Sequence, residues 1–232
     1  QRYYPRAEEK FREALEKDPN YLPALSDLAM ISYRNLDYEK ALAYATHALS
    51  IDTYDPAANF YYGLANAKLG KITDAKDGFD IASLSPSWRG AAYTELSKLY
   101  FRDKDFDKAK HYAGNSLELN AGNTESWQIL ALIARLRNKK ADADAALQEL
   151  EGLTPLNHFT RFEKFRWLNT EANKKEFTSA ITHELPHETY LELADFYGSL
   201  GLPEEAVDVL TLAPQNPEVY YRIAYLKNRG VD

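Results

Sequence analysis

The sequence predicts an all-α stack of antiparallel helix pairs, about fourteen helices in all, and three observations predict it. Alanine recurs at Ala7, Ala41, Ala75, Ala109 and Ala143, each 34 residues after the one before. Other columns keep the same phase, with apolar positions three or four apart inside each unit, so that they line one helix face. Turn residues separate the helices: Gly70 and Gly201 mark breaks between paired helices, and Pro19, Pro155 and Pro217 mark breaks between units.

Taken in order, a half unit occupies 1–21, with Ala7, Phe11 and Ala14 on one face and Pro19 closing it. Full units follow at 22–55, 56–89, 90–123 and 124–157. Their first helices carry Leu28, Tyr62, Leu96 and Leu130 in one column and Leu25, Asn59, Tyr93 and Trp127 in another. The column Ala29, Gly63, Ser97, Ala131 is small throughout, as a close helix crossing requires. Their second helices carry Ala45, Phe79, Ala113 and Leu147, then Ala48, Ala82, Ser116 and Leu150.

After Pro155 the phase fails, because Phe177 stands where alanine is due. Pro155, Pro186 and Pro217 are instead 31 residues apart, which predicts two shortened units at about 156–186 and 187–217. The loss of three residues removes most of a helical turn and is expected to change the curvature there. The first shortened unit is degenerate, with an aromatic leading helix (Phe159, Phe162, Phe165, Trp167) and a second helix near 174–184. A last segment, 217–228, has Tyr220, Ile223 and Ala224 placed as in a leading helix that has nothing to pair with. On this reading Tyr3, Tyr4 and Phe11 at one end, and Val219, Tyr221 and Leu226 at the other, are partly uncovered and offer surfaces for self-association.

Composition narrows function. With 35 acidic against 28 basic side chains, the net charge of −7 argues against nucleic-acid binding. The absence of cysteine excludes disulfides, thiolate zinc sites and cysteine nucleophiles. No stretch approaches the roughly 18–20 apolar residues of a membrane span. The compartment stays open between cytoplasm and bacterial periplasm. There is no signal-peptide pattern, but the chain starts at Gln1 rather than Met, so a missing upstream segment is expected.

Trp127, Leu130 and Ala131 with Ala143 and Pro155, and Tyr190, Leu193, Ala194 and Tyr197 with Ala206, resemble the signature of the tetratricopeptide repeat (TPR) family. That resemblance implies a right-handed superhelical solenoid, TPR array to 157 and TPR-like units over 158–232. It also implies a protein-interaction scaffold, with no catalytic role, no cofactor and no metal. The first helix of each unit then lines a concave groove. The groove-facing positions select Tyr33, Arg34, Phe60, Leu64, Lys68, Lys98, Phe101, Arg102, Gln128 and Arg135. Aromatic surface beside a basic column (Arg34, Lys68, Arg102) suits an extended protein or peptide segment bearing acidic side chains or a carboxylate. The family's clamp for chaperone tails is not matched. Its positions hold Ser26, Met30, Tyr61, Ala91 and Glu95 here, or, one unit on, Phe60, Leu64, Glu95, Glu125 and Ile129.

The remaining lure is His183-Glu184-Leu185-Pro186-His187, which fits the H-E-x-x-H zinc-protease pattern. Those enzymes need both histidines on adjacent turns of one helix, and Pro186 forbids that continuity. His47, His111 and His158 stand alone, and the pairs Glu8/Glu9 and Glu204/Glu205 sit at helix starts, where the dipole favours them. Because the chain begins and ends inside repeats, it reads as a piece of a longer bacterial protein. Residues 191–226 resemble the TPR region of large bacterial proteins that also carry a sugar-enzyme-like β-sandwich. The alternative function is therefore a structural or assembly arm for a carbohydrate-related enzymatic domain.

Overall fold

The computed structural model describes residues 5–182 and 184–229, and among them it contains fourteen α-helices and no strand. The chain divides into two compact units, Gln1–Leu99 with His111–Ala121, and Tyr100–Lys110 with Gly122–Asp232. The first unit is built from α1 (Pro5–Lys17), α2 (Leu22–Arg34), α3 (Tyr38–Ile51), α4 (Pro56–Lys68) and α5 (Ile72–Ala82), the body of α6 (Pro86–Arg102) and the later half of α7 (Phe106–Leu119). The second takes the end of α6 and the start of α7, then α8 (Thr124–Leu136), α9 (Lys140–Leu153), α10 (His158–Leu168) and α11 (Glu171–Ser179). It closes with α12 (Pro186–Ser199), α13 (Pro203–Thr211) and α14 (Pro217–Arg229).

Helix starts follow local chemistry. Asp55 accepts from the Ala58 N–H at 2.7 Å, Asp37 from Lys40 at 3.1 Å, Asp105 from Lys108 at 3.1 Å and Asn123 from Ser126 at 3.1 Å. Each bond satisfies one of the donors that a helix N-terminus leaves open. Pro56, Pro186 and Pro203 stand in first turns, where the missing N–H costs nothing.

The turns inside pairs share one conformation. Leu36, Gly70, Lys104 and Asn138 all have positive φ (64°, 79°, 62° and 54°) and lie 34 residues apart; Gly201 repeats it at 75°. In each, the next N–H reaches back five residues: Asp37 to Ser32, Lys71 to Asn66, Asp105 to Tyr100, Lys139 to Ala134 and Leu202 to Tyr197. That is the Schellman closure of a helix end, and it demands a left-handed residue. Glycine marks only two of these five turns, so the sequence reading saw only two.

The repeating columns are core. Ala41, Ala75, Ala109 and Ala143 are buried, as are Leu25, Leu28, Leu96, Phe79, Leu147 and Leu150. Removing a side chain of Leu or Phe size from water stabilises the fold by about 1.5–3 kcal/mol. α4 and α5 cross closely. A Cβ built on Gly78 would stand 2.8 Å from the Asn59 carbonyl oxygen, so these two backbones touch and leave no room for a methyl group.

Two expectations are corrected. The second helix of the degenerate stretch is Glu171–Ser179, not 174–184. Asn169, left-handed at φ 46°, ends α10, and Thr170 caps α11 by accepting from the Asn173 N–H. At the C-terminal end α14 packs on the preceding α12 and α13, so Val219 is buried rather than uncovered. Tyr220 and Tyr221 on α14 are exposed. Tyr3 and Tyr4 lie outside the described residues.

Candidate peptide-binding face

The first unit presents a row of half-buried aromatic rings. Tyr33 at the end of α2 lies 5.5 Å from Tyr38 and 6.4 Å from Tyr61 of α4, and Tyr61 lies 5.9 Å from Trp88 at the start of α6. Charges flank the row. Lys98 Nζ stands 2.9 Å from Glu95 Oε1, and Arg34 and Asp27 both act on the Tyr61 hydroxyl, with opposite sign. Burial, helped by Glu95, pushes the Tyr33 phenol up to about 12, and burial raises Tyr61 as well. Both hydroxyls are therefore neutral donors at physiological pH, placed beside apolar ring surface. Burial also raises the Asp27 carboxyl.

The ten groove residues expected from the sequence do not share one fate. Tyr33 is in the aromatic row, Leu64 is half-buried, and Arg34 and Lys68 are exposed. Phe60 is not a groove residue: it is 9% exposed and packed between Phe79 (5.5 Å), Trp88 (4.9 Å) and Tyr61 (5.7 Å). Phe101, in the second unit, is likewise core at 1% exposed, 5.3 Å from Phe106. Each ring fills the seam with the following helix, α5 for Phe60 and α7 for Phe101, instead of facing the groove.

In the second unit, Arg102 is exposed and borders a cleft with Leu136 and residues 200–205, and Gln128 borders another with Phe159, Thr189, Glu192 and Phe196. Arg135 is already engaged. Its Nε donates to Glu163 Oε2 at 2.7 Å and its Nη2 to Glu205 Oε1 at 3.1 Å, while the Tyr197 hydroxyl donates to Glu163 Oε1 at 2.6 Å. Burial raises the Glu163 carboxyl, opposed by Arg135, Tyr197 and Arg166. Arg135 thus spends its donors inside the fold and is corrected from ligand grip to structural anchor.

The sequence reading assigned no binding role to Asp27, Tyr61, Glu95 and Trp88, and Tyr61 and Glu95 entered only as clamp positions that do not match. The first three form a column 34 residues apart, the sixth position of each unit, and that register was the signal. Trp88 sits in the first turn of α6, two residues before the expected unit start at 90, and had no periodic mark.

Residues 90–123 match the family model described as Tetratricopeptide repeat. The chain is also 29% identical over 140 residues to the TPR repeat-containing protein YpiA of Bacillus subtilis, an alignment that covers 60% of this chain and 27% of that protein. The chain carries a tetratricopeptide repeat. It spans about a quarter of the length of that curated relative. Solved structures of TPR proteins share its fold at low identity. PilW, described as a type IV pilus biogenesis factor, superposes with TM-score 0.66 at 20% identity over 76% of this chain and 83% of its own. A TPR protein from Parabacteroides merdae gives TM-score 0.65 at 14% identity, covering 95% and 91%. YrrB, described as a TPR protein with an unusual peptide-binding site, gives 0.56 at 16%, covering 94% and 97%.

Pro186 opens α12 and Leu185 is its N-cap, so Glu184 and Leu185 precede the helix that carries His187. His183 lies outside the described residues. Among the described residues no group of three or more His, Asp or Glu side chains is placed to hold a metal ion. No described helix is long and apolar enough to cross a membrane.

Proposed function

We propose that this chain holds an extended acidic or carboxylate-bearing peptide segment against the aromatic row of its first unit. Tetratricopeptide repeats are in general protein-interaction scaffolds without catalytic machinery, and the peptide-binding site named for YrrB belongs to a protein of the same fold. The observation that carries the finer reading is the row Tyr33, Tyr61, Trp88 with Lys98 at its side. Half-buried rings give apolar contact area at low entropy cost, and their neutral hydroxyls donate to peptide carbonyls or carboxylates. Lys98 pairs with Glu95 on the same helix, so an incoming carboxylate meets a cation that is already charge-compensated rather than burying a bare charge. Arg34 adds a second positive charge.

The test is a peptide array read against the intact chain, followed by titration of any peptide retained. Tyr61→Ala and Lys98→Glu should each weaken binding about tenfold or more, with the helical signal unchanged. Lys98→Glu should act most on peptides with an acidic side chain or free C-terminus. Binding that survives both changes, or that prefers basic peptides, would sink the proposal.

A further inference from the structure

Four units solve one packing problem in four ways. The problem is the seam where the leading-helix column Leu25, Asn59, Tyr93, Trp127 meets the second-helix column Tyr44, Gly78, Tyr112, Ala146, each in 34-residue register. Tyr44 packs against the cluster of Leu25, Ala48 and Ala58. At Gly78 and Asn59 the backbones close until no Cβ fits. Tyr93 and Tyr112 meet ring to ring at 5.7 Å. In the fourth unit Trp127 faces Ala146, and neither a tyrosine nor backbone closure fills the space. A cavity of about 240 Å³ remains there.

Trp127, Leu130, Ile133 and Ala146 make its floor apolar. Its rim carries Lys110, Arg137 and Lys139 against two carboxylates, Asp142 on the rim and Asp107 nearby, whose carboxyl all three cations hold down. Asp107 answers Arg137 at 2.8 Å, but Asp107 is 86% exposed and that pair is therefore weakly held. The local balance is positive on a chain whose net charge is −7.

We propose that this cavity of the second unit is a docking pocket for one bulky apolar side chain, aromatic or leucine-sized, presented by an acidic segment of a partner protein. Burial of the apolar anchor supplies affinity, and the three cations select acidic flanks and speed the encounter. The excess of positive charge on the rim argues for an acidic segment as the occupant. The site is separate from the aromatic row of the first unit, and neither proposal depends on the other.

The test uses the full chain and a fluorescein-labelled peptide, Asp-Glu-Phe-Asp-Glu, read by anisotropy. Replacing the central Phe by Ala, or the acidic residues by Lys, should weaken binding about tenfold or more, and raised salt should weaken it further. Ala146→Tyr restores the filling that Tyr44 and Tyr112 provide and should abolish binding. Because Ala146 is buried, the exposed-rim pair Lys110→Glu with Lys139→Glu decides the matter if that variant misfolds, and it should cost about tenfold or more. Because an acidic peptide also fits the aromatic row of the first unit, the titrations are repeated in the Tyr61→Ala background, where binding to the pocket should persist and keep its dependence on the central Phe and on the rim pair. The proposal is overturned if the peptide does not bind, if the Ala peptide binds as well as the Phe peptide, or if Tyr61→Ala removes binding while the rim pair does not.

Discussion

Gly63 and Phe79 are fitted to each other: a Cβ on Gly63 would stand 2.7 Å from the Phe79 ring, where no real Cβ sits. In the neighbouring units the partners are Ala29 with Ala45 and Ser97 with Ala113, so the large ring and the missing methyl group are complementary deviations from one column pair. Gly63→Ala should therefore destabilise the chain by about 1–3 kcal/mol in urea unfolding, despite the better helix propensity of alanine. Phe79→Leu in that background should recover part of the loss. The two changes should be non-additive, and additive energies would show that the close approach carries no strain.

The left-handed turn residues make a second expectation. Leu36 and Lys104 hold φ near 60° at a steric cost that glycine escapes. Leu36 is also 66% exposed, so little apolar burial is lost with its side chain. Leu36→Gly and Lys104→Gly should each raise stability by up to about 1 kcal/mol, against the usual effect of glycine. Gly70→Ala should lower it by about the same amount. Thermal melting of the three variants checks the signs.

The buried cluster in the second unit separates two kinds of loss. Arg135→Met leaves Glu163 and Glu205 without their shared cation and should cost about 3–5 kcal/mol. Glu163 also carries a pH signature. Burial raises its carboxyl in the folded chain, so the protonated form is favoured there relative to the unfolded chain. Its contribution is full below the ordinary glutamate value of about 4.3 and is lost as pH rises through the higher folded value. Glu163→Gln should flatten the stability profile just above that ordinary value, and an unchanged profile would mean that the cluster holds Glu163 ionised throughout.

Tyr33 gives the corresponding alkaline expectation. With its phenol pushed up to about 12, its contribution is full below the ordinary value and is lost as pH rises toward that figure. Tyr33→Phe should make the stability loss between about 10 and about 12 shallower. Absorbance at the phenolate band should show one fewer late-titrating tyrosine.

Much of the fold is legible in the residues because its cause is local and periodic. A helix pair buries the same positions each time it recurs, so Ala41, Ala75, Ala109 and Ala143 announce the stack before any coordinate is known. The turns were half legible. Glycine advertises a left-handed residue at Gly70 and Gly201, whereas Leu36, Lys104 and Asn138 take the same conformation because the surrounding helices impose it.

By itself, the sequence determined the all-α class, the 34-residue register and the change of rhythm after Pro155, since each rests on spacing along the chain. Which side chains face a ligand was decided only by tertiary structure. Phe60 and Phe101 are buried, each ring filling a seam with the following helix that spacing along the chain did not announce. Arg135 looked like a free cation because its partners are 28 and 70 residues away. Trp127 looked like an ordinary core residue, and only the structure shows the cavity that it lines together with Ala146 from the opposite helix. Burial and charge pairing at such places depend on residues that no local pattern relates, and only the packed chain brings them together.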